Sequence, residues 1–226
     1  TKKYPHIEVG NDKLATWAMR IGYSETDFMT LQRMYAMTKK RTFSTIPEVF
    51  GSAYGYTYKT LRLDDALGFV IGELTNCCQR IGDLAEVSME HAMTSNNGKI
   101  FVVYNKLGEL VAQSWVWRNG NMLCFDNVEV PWNFIRKHLD KGLLELYKVY
   151  LVGANEFIKQ YKIGYAKALE EGLIDEAKAH QLVLNKVTMG TGNNDLNMSN
   201  EITVEDPFPR FLGHYKPMAN MPHYIY

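Results

Sequence analysis

The chain has 226 residues, 46% of them hydrophobic and 22% charged, so it is long enough to bury a substantial core in one large domain or two small ones. Lysine and arginine total 25, as do aspartate and glutamate, and this balance does not indicate nucleic acid or an anionic membrane as a partner. Three cysteines, two of them adjacent, give no disulfide framework, and no apolar run approaches the roughly 20 residues that a membrane helix needs. We therefore expect a soluble protein of the reducing cytoplasm and, because the chain begins at Thr1, a fragment or processed product of a longer protein.

Short elements are predicted before residue 95. One apolar face of a first helix is marked by Leu14, Trp17, Ala18 and Ile21. Ser24 with Asp27 three residues later is a capping-box pattern, which predicts a second helix through about residue 38. The segment FGSAYGY (50–56) is typical of a loop that leads to a strand over 56–61. Further helices are predicted over 66–75 and 83–93.

Residues 99–131 are interpreted as three antiparallel strands. Asn119-Gly120 lies between alternating apolar runs and is typical of a type I′ hairpin turn, because both residues tolerate positive φ. This turn predicts that Arg118 pairs with Asn121. One face of the sheet then carries the pairs Trp117 with Met122, Trp115 with Cys124 and Gln113 with Asp126. The other face is expected to carry Ala112, Ser114, Val116, Leu123, Phe125, Asn127 and Glu129.

A long helix is predicted after the third strand. Pro131 lies where helices often begin, and apolar residues recur at intervals of three, four or seven from residue 132 to 161. The spacing predicts roughly eight turns, with bends at Gly142 or Gly153. A short helix over 170–180 and a strand over 182–190 are expected to follow, and the last twenty or so residues are expected to be extended.

This order of three strands, a long helix and a further strand resembles the Gcn5-related N-acetyltransferase (GNAT) fold, with DNVEV (126–130) ending the strand that would be the family's fourth. The resemblance implies an α/β fold with a mixed, mainly antiparallel sheet flanked by helices. It divides the chain into an N-terminal helical extension (1–60), a GNAT-like α/β domain (61–204) and an extended C-terminal tail (205–226). It also implies acetyl-CoA as cofactor, admitted between the family's fourth and fifth strands, with contacts expected at Val128, Val130 and Asn133.

Two carboxylates are candidate catalytic groups. In a GNAT-like enzyme, Asp126, Glu129 or a relayed water would act as general base toward an amine, and the raised pKa of a carboxylate in an apolar setting favours the carboxylates. Gln113, Trp115 and Trp117 are the candidate substrate-binding residues. The alternatives are a hydrogen bond that joins Asp126 to Gln113 in a half-buried sheet, and a pair of tryptophans that belongs to the core.

The adjacent Cys77 and Cys78 are the second candidate site. A thiolate nucleophile needs a base or a cation nearby, and His91 or Arg80 would serve. The alternative is that both cysteines are small buried hydrophobes. Zinc held by Cys77, Cys78, His91 and Cys124 is disfavoured because no CxxC pair is present, and no metal site is predicted. GTG (190–192) is interpreted as a turn rather than a phosphate loop.

Two functions remain open from the sequence. The first is an acyltransferase-like protein that transfers an acyl group from a CoA thioester to an amine of a small molecule or protein. The second is a catalytically silent GNAT-like module that acts through protein or nucleic-acid interaction in a larger assembly. Polar groups on the tryptophan face favour the first. VPWNFIRK (130–137) contains no glycine, which favours the second because side chains hinder backbone approach to a pyrophosphate.

Overall fold

The computed structural model describes residues 11–83, 85–119, 122–126, 128–173, 186–189 and 223–224. The described α-helices are α1 (Asn11–Ile21), α2 (Glu25–Thr38), α3 (Ile71–Thr75), α4 (Glu86–Thr94) and α5 (Trp132–Glu170), and a 3₁₀ helix (Ala66–Val70) precedes α3. The described strands are β1 (Phe50–Ala53), β2 (Tyr56–Thr60), β3 (Gly98–Tyr104), β4 (Leu110–Asn119), β5 (Met122–Phe125), β6 (Lys186–Met189) and β7 (His223–Tyr224).

The described strands form one sheet in chain order from β1 to β7. Neighbouring strands run antiparallel except β5 and β6, which are parallel and are connected across α5. An α/β fold with a mixed, mainly antiparallel sheet flanked by helices is therefore confirmed. Both β1 and β2 belong to this sheet, and β2 pairs directly with β3, so the expected boundary at residue 60 falls within the sheet.

The expected loop at the start of FGSAYGY is instead strand β1. It joins β2 through Tyr54 and Gly55, whose φ angles are 52° and 83°. Two successive residues with positive φ make a tight hairpin turn that matches the right-handed twist of the strands. Phe50 and Gly51 lie within β1, so glycine and aromatic content over 50–56 did not distinguish the strand from the turn that follows it.

Most helix predictions are confirmed, with shifted ends. Ser24 Oγ accepts a hydrogen bond from the Asp27 amide over 3.2 Å and the Ser24 amide donates to Asp27 Oδ2 over 3.0 Å, which completes the predicted capping box of α2. The helix expected over 66–75 is a 3₁₀ helix followed by α3. Helix α5 has 39 residues and is longer than expected. Of the short helix predicted over 170–180, residues 170–173 are described: Glu170 is the last residue of α5, and Glu171 caps that helix. The rest of that prediction, the GTG turn and most of the tail lie outside the described residues.

Each face of the sheet has its own hydrophobic core. The first core lies between the sheet and α1 to α4, and it contains Leu31, Met34, Phe69, Ile71, Trp115 and Trp117. The second core lies under α5 and contains Phe101, Val116, Leu123, Phe125, Tyr150 and Phe157. Side chains alternate across a strand, so successive residues of β4 and β5 point to different cores. The helical segments before β3 therefore cover the tryptophan face.

The predicted register of the β4–β5 hairpin is wrong by two residues. Asn119 pairs with Met122, so Trp117 lies opposite Cys124 and not opposite Met122. Asn119 is therefore the last residue of β4 and not part of the turn. A shift of two residues returns each side chain to the same face, so the assignment of Trp115 and Trp117 to a common face is unaffected.

Candidate functional site

A one-residue bulge in the chain that follows β5 brings both candidate carboxylates to the tryptophan face. The Asp126 amide donates to the Trp115 carbonyl over 2.7 Å, and Gln113 and Glu129 then exchange two backbone hydrogen bonds of 2.9 Å. Two steps along β4, from Trp115 to Gln113, thus correspond to three steps on the other chain, which is the signature of a bulge. Opposed residues share a face, so Glu129 joins Asp126 and Gln113. The prediction that Glu129 lies on the opposite face is wrong.

The segment between α3 and α4 supplies the other polar groups of the site. Helix α3 is followed by its C-cap residue Asn76, whose left-handed conformation (φ 54°, ψ 40°) terminates the helix. Gln79 Nε2 then donates to Asp126 Oδ2 over 2.5 Å. Gln113 Nε2 donates to Gln79 Oε1 over 3.1 Å and to Cys77 Sγ over 3.5 Å. These contacts make a chain of hydrogen bonds that joins the loop to β4 and to the bulge.

Burial differs among the groups of the site. Gln113, Asp126 and Gln79 are 0%, 2% and 4% exposed, whereas Glu129 is half-buried and Cys78 is exposed. The described connection between Asp126 and Gln113 runs through Gln79. Glu129 is therefore the carboxylate that a ligand reaches more easily, and Asp126 is the one held inside the network.

The two tryptophans are part of the first core. Their rings stack on each other with centroids 4.1 Å apart, and each side chain is 1% exposed. Trp115 Nε1 donates to His91 Nδ1 over 3.2 Å. This accepted bond occupies the Nδ1 lone pair of a fully buried His91, which favours a structural role over activation of Cys77. Burial of both rings likewise favours the core interpretation over stacking with a ligand.

The surroundings of the cysteines oppose thiolate formation. Burial raises the pKa of Cys77 from 9.0 to about 12, and the negative charge of Glu129 adds to the effect. Burial, Glu129 and Asp83 also raise the pKa of Cys78. The nearby guanidinium of Arg80 pairs with Asp83 at 2.9 Å and with Glu73 at 3.5 Å. This environment favours the structural interpretation of Cys77 over nucleophilic catalysis.

The residues expected to contact acetyl-CoA lie where the bulged chain meets α5. Val128 and Val130 are half-buried against the second core, on the face opposite to Glu129. Pro131 precedes the first residue of α5 and makes no side-chain cap, and Asn133 lies in the first turn. Amides in the first turn of a helix attract anions such as a pyrophosphate.

Among the side chains that the structure describes, no three His, Cys, Asp or Glu residues converge as metal ligands. Within the described residues, no helix combines the length and the apolar character needed to cross a bilayer. Comparison with known proteins adds no assignment, since no protein-family model, curated protein or solved structure matches the chain.

Sequence reasoning missed Gln79 as a site residue. It follows Cys77-Cys78 directly, but its partner Asp126 lies 47 positions further along the chain. Periodicity within one element does not reveal a contact between a loop and a distant strand. The one local signal was that Gln79 follows two cysteines, a residue type that is often buried, and a buried amide needs hydrogen-bond partners.

Proposed function

We propose that this chain is an acyltransferase-like protein of GNAT-like fold, which transfers an acyl group from a CoA thioester to an amine. The observation that carries the proposal is the bulge that sets Asp126 and Glu129 on one face, beside Gln113 and Cys77. A half-buried carboxylate next to a buried polar network is suited to accept a proton from a bound amine. Bulges are also frequent beside active sites because they redirect side chains.

Glu129 is the general base in this proposal. Its carboxylate takes a proton from the acceptor's ammonium group, and the free amine attacks the thioester carbonyl. The new C–N bond forms as the C–S bond breaks, and the CoA thiolate would leave with the proton that the attacking nitrogen loses. Asp126, held by Gln79, contributes negative charge that favours a cationic acceptor at the same face.

Support for acetyl-CoA as cofactor comes from the crossover between the parallel strands. Strand β5 leads through Val128 and Val130 into α5, and β6 returns parallel to β5. The first-turn amides of α5, near Asn133, are suited to a pyrophosphate. Val128 and Val130 would offer an apolar surface to the pantetheine arm.

A second candidate, the catalytically silent GNAT-like module, is favoured by two observations. Residues 130–137 contain no glycine, and the side chains of Asp126 and Gln113 are almost fully buried. A buried network of this kind stabilises a fold without any substrate. Protein or nucleic-acid interaction in a larger assembly would then be the function.

Calorimetric titration with acetyl-CoA decides between the two candidates. We expect saturable binding of acetyl-CoA. At a concentration 100 times its Kd, acetyl-CoA should also raise the free energy of unfolding by about 2.7 kcal/mol. With a panel of primary amines, release of the CoA thiol should fall roughly 10²–10⁴-fold in Glu129→Gln, while acetyl-CoA affinity stays the same. Glu170→Gln, an exposed matched change at the end of α5, should leave both unchanged. Absence of binding at millimolar acetyl-CoA would reject the acyltransferase and support the silent module.

A further inference from the structure

The hydrogen bonds of the site have one direction, and Asp126 sets it. A carboxylate accepts hydrogen bonds and donates none, so the group that Gln79 presents to Asp126 must be its NH₂. The Gln79 Oε1 atom then points toward Gln113, and because it is an acceptor, the group that Gln113 donates to it is the side-chain NH₂. The orientation of two side-chain amides thus follows from a single anionic neighbour.

Gln113 Oε1 is the end of this chain. The Gln113 NH₂ already faces Gln79 Oε1 and Cys77 Sγ. The carbonyl oxygen at the other side of the amide is buried and has no hydrogen-bond partner among the described residues. A buried acceptor left in this state costs free energy, and a donor from a ligand removes that cost.

We infer that Gln113 Oε1 accepts an N–H of the amine substrate, and that Gln79 is the positioning residue that holds Gln113 in this orientation. The inference rests on the proposed function and specifies its acceptor: the site selects a hydrogen-bond donor, not merely a positive charge. Glu129, directly opposite Gln113, attracts any cation. Only a cation with an N–H can also satisfy Gln113, so analogues without one are rejected.

Two cations of equal charge separate these effects. Butylammonium carries three N–H groups, whereas butyltrimethylammonium carries none. We would titrate each, at constant ionic strength, into the full ¹⁵N-labelled chain and follow the side-chain NH₂ resonances of Gln113, assigned by their loss in Gln113→Met. Butylammonium should shift them saturably and bind at least about tenfold more tightly than the quaternary cation, as expected for one satisfied buried acceptor.

Gln79→Met tests the positioning role. Methionine fills a similar volume but offers no amide, so Gln113 is free to rotate and the discrimination between the two cations should fall at least about threefold. Gln32→Met, an exposed matched change on α2, should leave the discrimination intact. Where Gln79→Met does not fold, Asp126→Asn serves instead, because an asparagine can donate to Gln79 and allow both amides to reverse.

Equal affinity for the two cations, or no shift of the Gln113 resonances by either, would overturn the inference; the second result is also expected if only a water occupies the site. Unchanged discrimination in Gln79→Met would overturn the role of Gln79. Acetyl-CoA binding on the same samples keeps the two proposals apart. Binding of acetyl-CoA with no discrimination rejects this inference alone, whereas discrimination without acetyl-CoA binding supports the amine site and rejects acyl transfer.

Discussion

The Gln79 side-chain amide lies 2.5 Å from Asp126 Oδ2, although the two residues are 47 positions apart and belong to a loop and to the end of a strand. Both side chains are almost fully buried. Gln79→Ala removes a donor from a desolvated carboxylate and an acceptor from Gln113. We expect it to lower the free energy of unfolding by about 1–3 kcal/mol, as measured by urea denaturation.

Gln32→Ala is the control for this change. Gln32 is exposed on α2, and alanine is favourable in a helix, so its effect should stay within about 0.5 kcal/mol. A loss at Gln79 no larger than the loss at Gln32 would show that the contact with Asp126 contributes nothing to stability.

The composition of the tryptophan face was predictable from alternation alone. Trp115, Trp117 and Gln113 share a face whatever the register, because they lie two residues apart on one strand. Glu129 was assigned to the wrong face because strict alternation from Asp126 allows for no extra residue. The bulge lies between the end of β5 and the start of α5, and the alternation of apolar and polar residues there does not reveal the extra residue.

Glu129 should control the reactivity of the exposed Cys78. Its negative charge contributes to the raised pKa of both neighbouring thiols. Glu129→Gln should therefore lower the pKa of Cys78 and speed its alkylation by iodoacetamide near pH 8, roughly threefold for each half unit of pKa. Mass spectrometry of the labelled peptide measures the rate on each cysteine.

Glu170→Gln provides the matched comparison, since Glu170 is exposed at the end of α5 and should not affect either thiol. Cys77, which is buried, should stay slower than Cys78 in the folded protein. Faster reaction at Cys77 than at Cys78 would contradict the structural interpretation and revive the nucleophile hypothesis.

Gly72→Ala tests how closely the loop at Gln79 approaches α3, because helix propensity and a steric collision change the stability in opposite directions. In the interior of a helix, alanine is favoured over glycine by about 1 kcal/mol. At Gly72, however, a Cβ would collide with the backbone carbonyl of Gln79. We expect the collision to dominate and the change to destabilise the protein by about 1–3 kcal/mol, with a lower melting temperature. A gain in stability would mean that the loop does not approach α3 this closely.

The sequence predicted the start of helix α2 correctly but misplaced the turn between β4 and β5. The capping box of Ser24 and Asp27 involves residues only three positions apart, so it can be recognised from the local sequence. The β4–β5 turn was predicted at Asn119-Gly120 because this dipeptide favours a type I′ turn in any local sequence. In the structure Asn119 instead continues β4 and pairs with Met122.

Alkaline pH should destabilise the protein through Cys77. The pKa of this thiol rises from 9.0 to about 12 on folding because the site is buried. The thiol's contribution to stability is complete below pH 9, and it is lost as the pH rises toward 12, because the unfolded chain then releases a proton that the folded chain retains. Between these limits the free energy of unfolding should fall by up to about 1.4 kcal/mol per pH unit from this group alone.

The contribution of Cys77 is measured as the slope of the free energy of unfolding against pH between about pH 9 and 10.5. Urea denaturation with a reducing agent present gives this slope. Cys77→Ser removes the titrating thiol, so its slope should be shallower than that of the unaltered chain, whatever its absolute stability. Tyr104 and Tyr161, whose pKa values burial also raises, remain in both proteins and cancel in the comparison. Cys78→Ser should change the slope less, since Cys78 is the exposed thiol of the pair. Identical slopes for Cys77→Ser and the unaltered chain would show that Cys77 is not desolvated in the folded protein.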